Sequence, residues 1–126
     1  MKIWASKVAR RLVNKINTTD KCDTKPVILI LGFSYKKNCG DIRNTKVADL
    51  VYELENRGCQ VHIYDPVVDK NEVEYLYKVK MTTIDELVKI RYHAVLEAVH
   101  HDIFNDILLH TELRNCSIIY KIDQLL

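Results

Sequence analysis

The sequence predicts an α/β fold, in which helices cover a mainly parallel sheet on both faces. Short apolar runs rich in β-branched residues alternate along the chain with segments of helical periodicity. The segments that connect them are short, as in parallel sheets built from right-handed crossovers. The 126 residues, 48% hydrophobic and 29% charged, suit one domain with a small core. We therefore expect a Rossmann-like three-layer sandwich, preceded by an N-terminal helix.

Four segments have the pattern of strands. The run "VILIL" is continuously apolar, which is typical of a strand covered on both faces. The segment "QVHIYDP" is closed by Pro66, and "AVLEAV" and "SIIYKI" supply two later strands. The four predicted strands span residues 27–31, 60–66, 94–99 and 117–122.

Helical segments fill the intervals between these strands. The first ends at Gly58, which suits a helix C-terminus. Its apolar residues lie at positions i, i+3, i+4 and i+7, namely Val47, Leu50, Val51 and Leu54. A later one begins with Thr83 and has Glu86 three residues on, the signature of a capping box. The shorter helices are expected over residues 70–77, 82–90 and 101–109.

The amino-terminal segment is basic and contains no acid in its first nineteen residues. This composition resembles an amphipathic transit peptide. The spacing of its apolar residues favours instead a helix that packs on the domain: Trp4, Val8, Leu12 and Ile16. We predict this helix over residues 1–18, a polar linker over 19–26 and the main domain over 27–126.

Charge and cysteine content exclude several classes of function. A net charge of +2 is too small to indicate nucleic-acid or membrane binding. No cysteine pair has metal-ligand spacing, and nothing near His100 and His101 in sequence completes a ligand set, so we expect no metal site. Free thiols in a reducing cytoplasm are the expectation for all four cysteines: Cys22, Cys39, Cys59 and Cys116.

The loop that follows the first strand is the main candidate site. It runs from Gly32 to the helix that begins near Val47, and it contains Lys36, Lys37 and Arg43. Ligands of such folds bind beyond the carboxyl ends of the strands, and unusually long loops there tend to be functional. Cations beside a helix N-terminus would bind a phosphate or diphosphate. The alternative is a solvated charged loop.

This loop is not a standard dinucleotide fingerprint. Only Gly32 stands near the turn, whereas the fingerprint needs three glycines. Asp65 follows the second strand, where an acid could bind a ribose. The same Asp65-Pro66 pair also suits a turn that ends the strand.

A family resemblance rests on the segment "LGFSYKKNCGDIRNTKVADLVYELENRGCQVHIYDPVVD", residues 31–69. It resembles the carboxyl-terminal, UDP-binding domain of the UDP-glucose/GDP-mannose dehydrogenase family. Within it, "NCGDIRNTKV" is most similar to the branch that oxidises UDP-N-acetylhexosamines for capsule, Vi or O-antigen polysaccharides. The segment "HAVLEAVHHDIF" resembles a later strand and its histidine-bearing loop, and "MKIWASKVARRL" resembles part of the central dimerisation region.

The resemblance implies a reaction and a set of residues. The family oxidises a sugar C6 alcohol to a carboxylate with two NAD, through a cysteine nucleophile in its central part. Tyr35 and Lys36 match an aromatic–lysine pair that contacts the nucleotide sugar. Arg43 matches an arginine that contacts the NAD diphosphate. We expect Asp41 and Asn44 to hold the loop and begin the helix rather than contact a ligand.

The chain also departs from the family pattern. Glu97 stands in a strand that is apolar in the family, and the last segment lacks the usual aspartate–x–lysine–glycine order. The chain contains neither the NAD fingerprint nor the catalytic-cysteine motif, so we expect no catalytic residue and no turnover from this chain alone. A homodimer or a missing dehydrogenase half is the expected partner. The alternative is a non-catalytic interaction module that uses the apolar stripe of the first helix.

Overall fold

A parallel sheet forms the centre of the molecule. The computed structural model describes residues 3–19, 25–43, 45–105, 119–122 and 125. Within these residues the sheet has four parallel strands in the order β2-β1-β3-β4. The strands are β1 (Val27–Leu31), β2 (Gln60–Tyr64), β3 (Ala94–Glu97) and β4 (Ile119–Lys121). The helices are α1 (Ile3–Thr19), α2 (Val47–Asn56), α3 (Lys70–Tyr77) and α4 (Ile84–Leu87), followed by a 3₁₀ turn at Asp102–Asn105. The predicted α/β class is confirmed.

The side chains of β1 alternate between two apolar layers. Ile28 and Ile30 pack in the larger core with buried residues of α1, α2 and α3. Leu29 and Leu31 face the opposite layer, which includes Leu87 of α4. All four β1 residues are almost fully buried, because successive strand residues point to opposite faces and both faces are covered.

Helix α1 packs into the same core as the sheet. Val8, Leu12 and Ile16 have no exposed surface, whereas Trp4, the fourth residue of the predicted stripe, is only half-buried. The chain's own core therefore covers most of the stripe that an interaction module would present. None of the helices in the described residues is both long and apolar enough to cross a bilayer.

The predicted cap at the start of α4 is present, with Thr83 as the capping residue, but Glu86 bonds to its hydroxyl and not to its backbone N–H as in a full capping box. The side-chain oxygen of Thr83 accepts from the Glu86 backbone N–H at 3.3 Å, and its hydroxyl donates to the Glu86 carboxylate at 3.1 Å. The first bond satisfies one backbone N–H that a helix N-terminus otherwise leaves free, whereas the second joins the two side chains.

Several elements are shorter than the sequence predicts. β2 ends at Tyr64 rather than residue 66, and α4 spans Ile84–Leu87 rather than residues 82–90. β3 ends at Glu97 rather than residue 99, because the N–H groups of Ala98 and Val99 both turn back to the Leu31 carbonyl. The helix predicted over residues 101–109 is a 3₁₀ turn at Asp102–Asn105 in its described part. Several sequence-based expectations concern positions outside the described residues: Cys22, Asn44, Cys116 and residues 106–118.

The strand order creates a crevice at the carboxyl edge of the sheet. From β1 the chain passes through α2 to β2 on one side, while β3 pairs with the other side of β1. The loops that leave β1 and β3 therefore diverge at a topological switch point, where α/β folds bind ligands. The two loops approach closely at Gly32, where an added Cβ would lie 2.6 Å from the Val99 carbonyl oxygen.

Candidate functional site

A cavity of about 620 Å³ lies at this switch point. Its volume falls within the range of small-molecule sites. It brings together residues from the loop after β1, the start of α2, the turn after β3, the position after β4 and the first turn of α1. These lining residues are Trp4, Ser34, Tyr35, Lys36, Lys46, Val47, Ala98, Val99 and Ile122.

Two of the three sequence-predicted site residues lie on this cavity. Tyr35 and Lys36 both line it, and the Tyr35 side chain is 55% exposed. Arg43 is not among the described lining residues. The structure therefore brings the aromatic–lysine pair together and leaves the arginine apart.

Lys46 is a cation of the cavity that the sequence analysis missed. It is the residue before α2 and makes no side-chain capping bond to the helix. Its signal in the sequence was its position one residue before the apolar helical pattern that begins at Val47. Lys36 and Lys46 thus place two exposed lysines on one cavity, beside the start of α2.

A buried carboxylate holds the loop that leads to Tyr35 and Lys36. Oδ2 of Asp65 accepts from the backbone N–H groups of Phe33 at 2.7 Å and Ser34 at 3.2 Å. Its Oδ1 accepts from the Val67 N–H at 2.9 Å. Both carboxylate oxygens are therefore used inside the protein, and Asp65 forms the turn that ends β2. The ribose-binding alternative for this residue has no support in this geometry.

His101 completes this buried network. Its Nδ1 accepts from the Asn38 N–H at 2.8 Å, so that nitrogen carries a lone pair. The proton of the neutral ring therefore lies on Nε2, which is 2.9 Å from Oδ2 of Asp65 and 3.1 Å from Oγ of Ser34. The side chains of Asp65 and His101 have no exposed surface. The histidine joins the loops that leave β1, β2 and β3.

Asn38 adds an outer contact between the same loops. Its backbone φ is +57°, a left-handed conformation that asparagine tolerates better than most residues. Its side-chain amide donates to Asp102 at 2.9 Å and accepts from the Asp102 backbone N–H at 2.9 Å. Lys37 also contacts Asp102, at 3.1 Å. Lys37 thus faces the turn after β3, and it is not one of the described residues on the cavity.

The far end of the loop is held by hydroxyl groups. Thr45 donates to the Phe33 carbonyl at 2.6 Å and accepts from the Val47 N–H at 3.2 Å. Tyr77 of α3 donates to the Ile42 carbonyl at 2.5 Å, and its ring meets Phe33 edge-on at 5.2 Å. The loop is long but fixed at both ends, which keeps Tyr35 and Lys36 in place.

Arg43 is exposed and paired with Asp41. Its Nε and Nη2 donate to the two carboxylate oxygens at 3.1 and 3.0 Å. The Arg43 guanidinium lowers the pKa of Asp41 below its ordinary value, mainly through these side-chain hydrogen bonds, and Asp41 in turn raises the pKa of Arg43. With 83% of its side chain exposed, Arg43 projects from the surface of the chain.

A second cavity of about 340 Å³ adjoins the first, since both are lined by Ala98 and Ile122. Its polar residues include Glu97 and His100, whose Oε1 and Nδ1 are in contact. Glu97, the carboxylate that departs from the family pattern, is therefore buried with a partner. The described residues contain no cluster of three His, Cys, Asp or Glu side chains that could hold a metal.

The described residues do not form a dinucleotide cradle. The turn after β1 has one glycine, and the space above it is filled by Val99 rather than open to a ligand. Two glycines of the usual fingerprint are missing. NAD therefore does not fit this turn, and Arg43 remains the one predicted contact with that cofactor.

Comparison with known proteins shows the family of this chain. Residues 29–124 match the model of the UDP-glucose/GDP-mannose dehydrogenase family, UDP binding domain. The chain is 44% identical over 77 residues to UDP-N-acetyl-D-glucosamine 6-dehydrogenase of Salmonella typhi, an alignment that covers 61% of this chain and 18% of that relative. The protein of the same name from Pseudomonas aeruginosa is 34% identical over 79 residues, with 63% and 18% covered.

A solved structure shares the fold. UDP-D-ManNAc dehydrogenase from Pyrococcus horikoshii aligns with a TM-score of 0.68 and 20% identity, covering 91% of this chain and 26% of that one. The chain spans 18% of the length of the two curated relatives. The match of the family model covers most of the chain, and the chain therefore belongs to the UDP-glucose/GDP-mannose dehydrogenase family, in which it corresponds to the UDP-binding domain.

Proposed function

We propose that the cavity at the switch point binds the UDP part of a UDP-N-acetylhexosamine. The observation that carries this proposal is the convergence of Lys36, Lys46 and the start of α2 on one cavity. A diphosphate carries the negative charge that two ammonium groups and a helix N-terminus favour. The names of the two curated relatives support an N-acetylhexosamine as the sugar.

Each residue has a distinct role in this proposal. Lys36 and Lys46 neutralise oxygens of the diphosphate, and the exposed ring of Tyr35 packs against the nucleotide. Arg43 lies outside this set and extends from the surface, where a planar guanidinium suits the diphosphate of NAD held by another part of the enzyme. The Asp65–His101 network fixes the loop and touches no ligand.

The chain acts as the substrate-binding part of an NAD-dependent 6-dehydrogenase. NAD, held by the rest of the enzyme, would supply the oxidant for conversion of the sugar C6 alcohol to a carboxylate, which takes two NAD and one water per sugar because four electrons are removed. The catalytic cysteine and most of the NAD site come from outside this chain, and its partner is a second copy of the chain or a missing dehydrogenase half. We place the protein in the cytoplasm, where Cys39 and Cys59 remain free thiols.

Titration of UDP into the 126-residue chain by calorimetry tests the proposal. Lys36→Ala should weaken UDP binding roughly tenfold or more, because a hydrogen bond to a charged group is worth about 1.5–3 kcal/mol. Lys37→Ala is the matched control, since it removes the same charge one residue away, where the side chain pairs with Asp102. Arg43→Ala should leave UDP affinity unchanged.

Two results would contradict the proposal. The first is no heat and no shift of loop amide resonances with millimolar UDP. The second is equal weakening by Lys36→Ala and Lys37→Ala, which would indicate a diffuse charge effect in place of a site. Thermal unfolding of each variant verifies that the fold is intact.

A further inference from the structure

A single turn of the long loop carries Lys36 to the cavity. The turn spans Lys36–Cys39 and is closed by a bond from the Cys39 N–H to the Lys36 carbonyl at 3.3 Å. The same carbonyl accepts from the Ser34 hydroxyl at 2.9 Å. Asn38, inside the turn, has a φ of +57°, a conformation that is uncommon for any residue but glycine. Contacts from outside the loop therefore matter for the shape of this turn.

His101 supports the turn at two points. Its Nε2 donates to Oγ of Ser34 at 3.1 Å, and that hydroxyl donates in its turn to the Lys36 carbonyl. Its Nδ1 accepts from the backbone N–H of Asn38 at 2.8 Å. The histidine has no exposed surface, so water does not replace either bond. The position of Lys36 thus depends on both nitrogens of one imidazole.

The contact with Asn38 requires an uncharged ring. An imidazolium has an N–H on both nitrogens and accepts no hydrogen bond. A second proton on Nδ1 of His101 would point at the Asn38 N–H, and two donors would face each other. The carboxylate of Asp65 attracts an imidazolium, but it lies at Nε2, which carries a proton in both forms. Because Asp65 offers no acceptor at Nδ1, protonation must separate His101 from Asn38.

The other charged groups near His101 leave this conflict in place. Lys37 and Asp102 form an ion pair at 3.1 Å on the outer side of the turn. His100 contacts Glu97 at the second cavity. Among the described residues, none of these four side chains hydrogen-bonds to the His101 ring.

We propose that His101 is a positioning residue whose uncharged ring holds Lys36 at the cavity, and that its protonation releases the Lys36–Cys39 turn and weakens ligand binding. This inference rests on the proposed function, in which Lys36 contacts the diphosphate. The base of the loop stays in place, since Asp65 accepts from two backbone N–H groups there in either state. Affinity for the ligand should therefore fall in acid through a residue that touches no ligand.

A pH titration of the unliganded chain, followed by nuclear magnetic resonance, tests the release of the turn. Between about pH 8 and about pH 5, the range in which histidines change charge, the Asn38 backbone amide should shift together with the His101 ring carbons. The Ser34 amide, which bonds to Asp65, should stay in place. An Asn38 amide that stays fixed over this range would overturn the inference.

Calorimetry with UDP at the two ends of this pH range tests the effect on binding. His101→Asn is the informative variant, because its amide oxygen accepts a hydrogen bond and does not titrate. His100→Asn is the matched control, since it removes the adjacent histidine. The UDP affinity of the unmodified chain and of His100→Asn should fall roughly fivefold more than that of His101→Asn. Comparison of the three chains at the same pH cancels the ionisation of UDP itself.

The outcomes separate this inference from the proposed function. An equal pH dependence of UDP affinity in all three chains would show that the inference is wrong, while the proposed function stands. If UDP does not bind the unmodified chain even at the alkaline end, the proposed function fails. The titration of the unliganded chain uses no variant, so it decides the inference even if His101→Asn does not fold.

Discussion

Two adjacent histidines each contact a carboxylate, but only one of the two pairs is fully shielded from solvent. The side chains of Asp65 and His101 are both fully buried, and each of their polar atoms has a partner within the protein. The Glu97 side chain is 8% exposed, and the His100 side chain, at 40%, opens onto a cavity. An imidazole and a carboxylate thus hold loops together in one place and form a solvent-accessible pair in the other.

The difference shows that a buried pair's contribution to stability depends on how many of its polar atoms are hydrogen-bonded within the protein. Asp65 accepts from three backbone N–H groups and one imidazole, so its removal leaves several donors unpaired. Glu97 contacts one histidine that solvent can still reach. The first pair should therefore govern stability, and the second should contribute little.

The largest effect is expected from Asp65→Ala. The substitution leaves buried N–H groups of Phe33, Ser34, Val67 and His101 without their acceptor, and we expect a loss of about 3 kcal/mol or more in the free energy of unfolding. Urea unfolding measures it. Asp69→Ala is a control, because Asp69 caps α3 at the surface and its loss should cost about 1 kcal/mol. Equal losses in the two variants would contradict the comparison.

A smaller effect on the free energy of unfolding, either neutral or stabilising, is expected from Glu97→Leu. Replacing a member of a buried ion pair by an apolar residue is often neutral or stabilising, and His100 is exposed enough to be hydrated alone. The free energy of unfolding should stay within about 1 kcal/mol of the unmodified chain or rise. A loss of unfolding free energy comparable to that of Asp65→Ala would show that the second pair also holds the fold together.

The smallest effect concerns the outer contact between the same loops. The pKa of Asp102 lies below its ordinary value of 3.8, chiefly because Asn38 and then Lys37 stabilise its carboxylate. A lowered folded pKa means that this stabilisation is present above pH 3.8 and is lost as pH falls through the lower folded value. The side-chain amide resonance of Asn38 should shift in that acid range.

Asp102→Asn should abolish this acid-dependent shift. The backbone amides of Phe33 and Ser34, which bond to Asp65, should keep their positions in the mildly acid part of that titration. If these amide resonances shift together with that of the Asn38 side chain, the Asn38–Asp102 contact also holds the loop, and the Asp65–His101 pair does not hold it alone.

The sequence allowed the strands, the helices and the long loop after β1 to be predicted because these depend on local patterns. Apolar runs predicted the strands, helical spacing predicted α2, and Thr83 with Glu86 predicted the start of α4. The end of β3 was predicted two residues late, since Ala98 and Val99 are apolar and only their bonds to Leu31 turn the chain. The part of Lys46 in the cavity was also missed, because a lone lysine carries no pattern.

The sequence by itself determined the class of fold, the family and the loop that bears Tyr35 and Lys36, since short-range periodicity and a contiguous motif suffice for these. Only the tertiary structure decided that Trp4 and Lys46 share a cavity with that loop, and that Asp65 and His101, which are 36 residues apart, hold it in place. The physical reason is that burial and hydrogen-bond saturation depend on which segments meet at the edge of the sheet. Separation along the chain carries no information about that meeting.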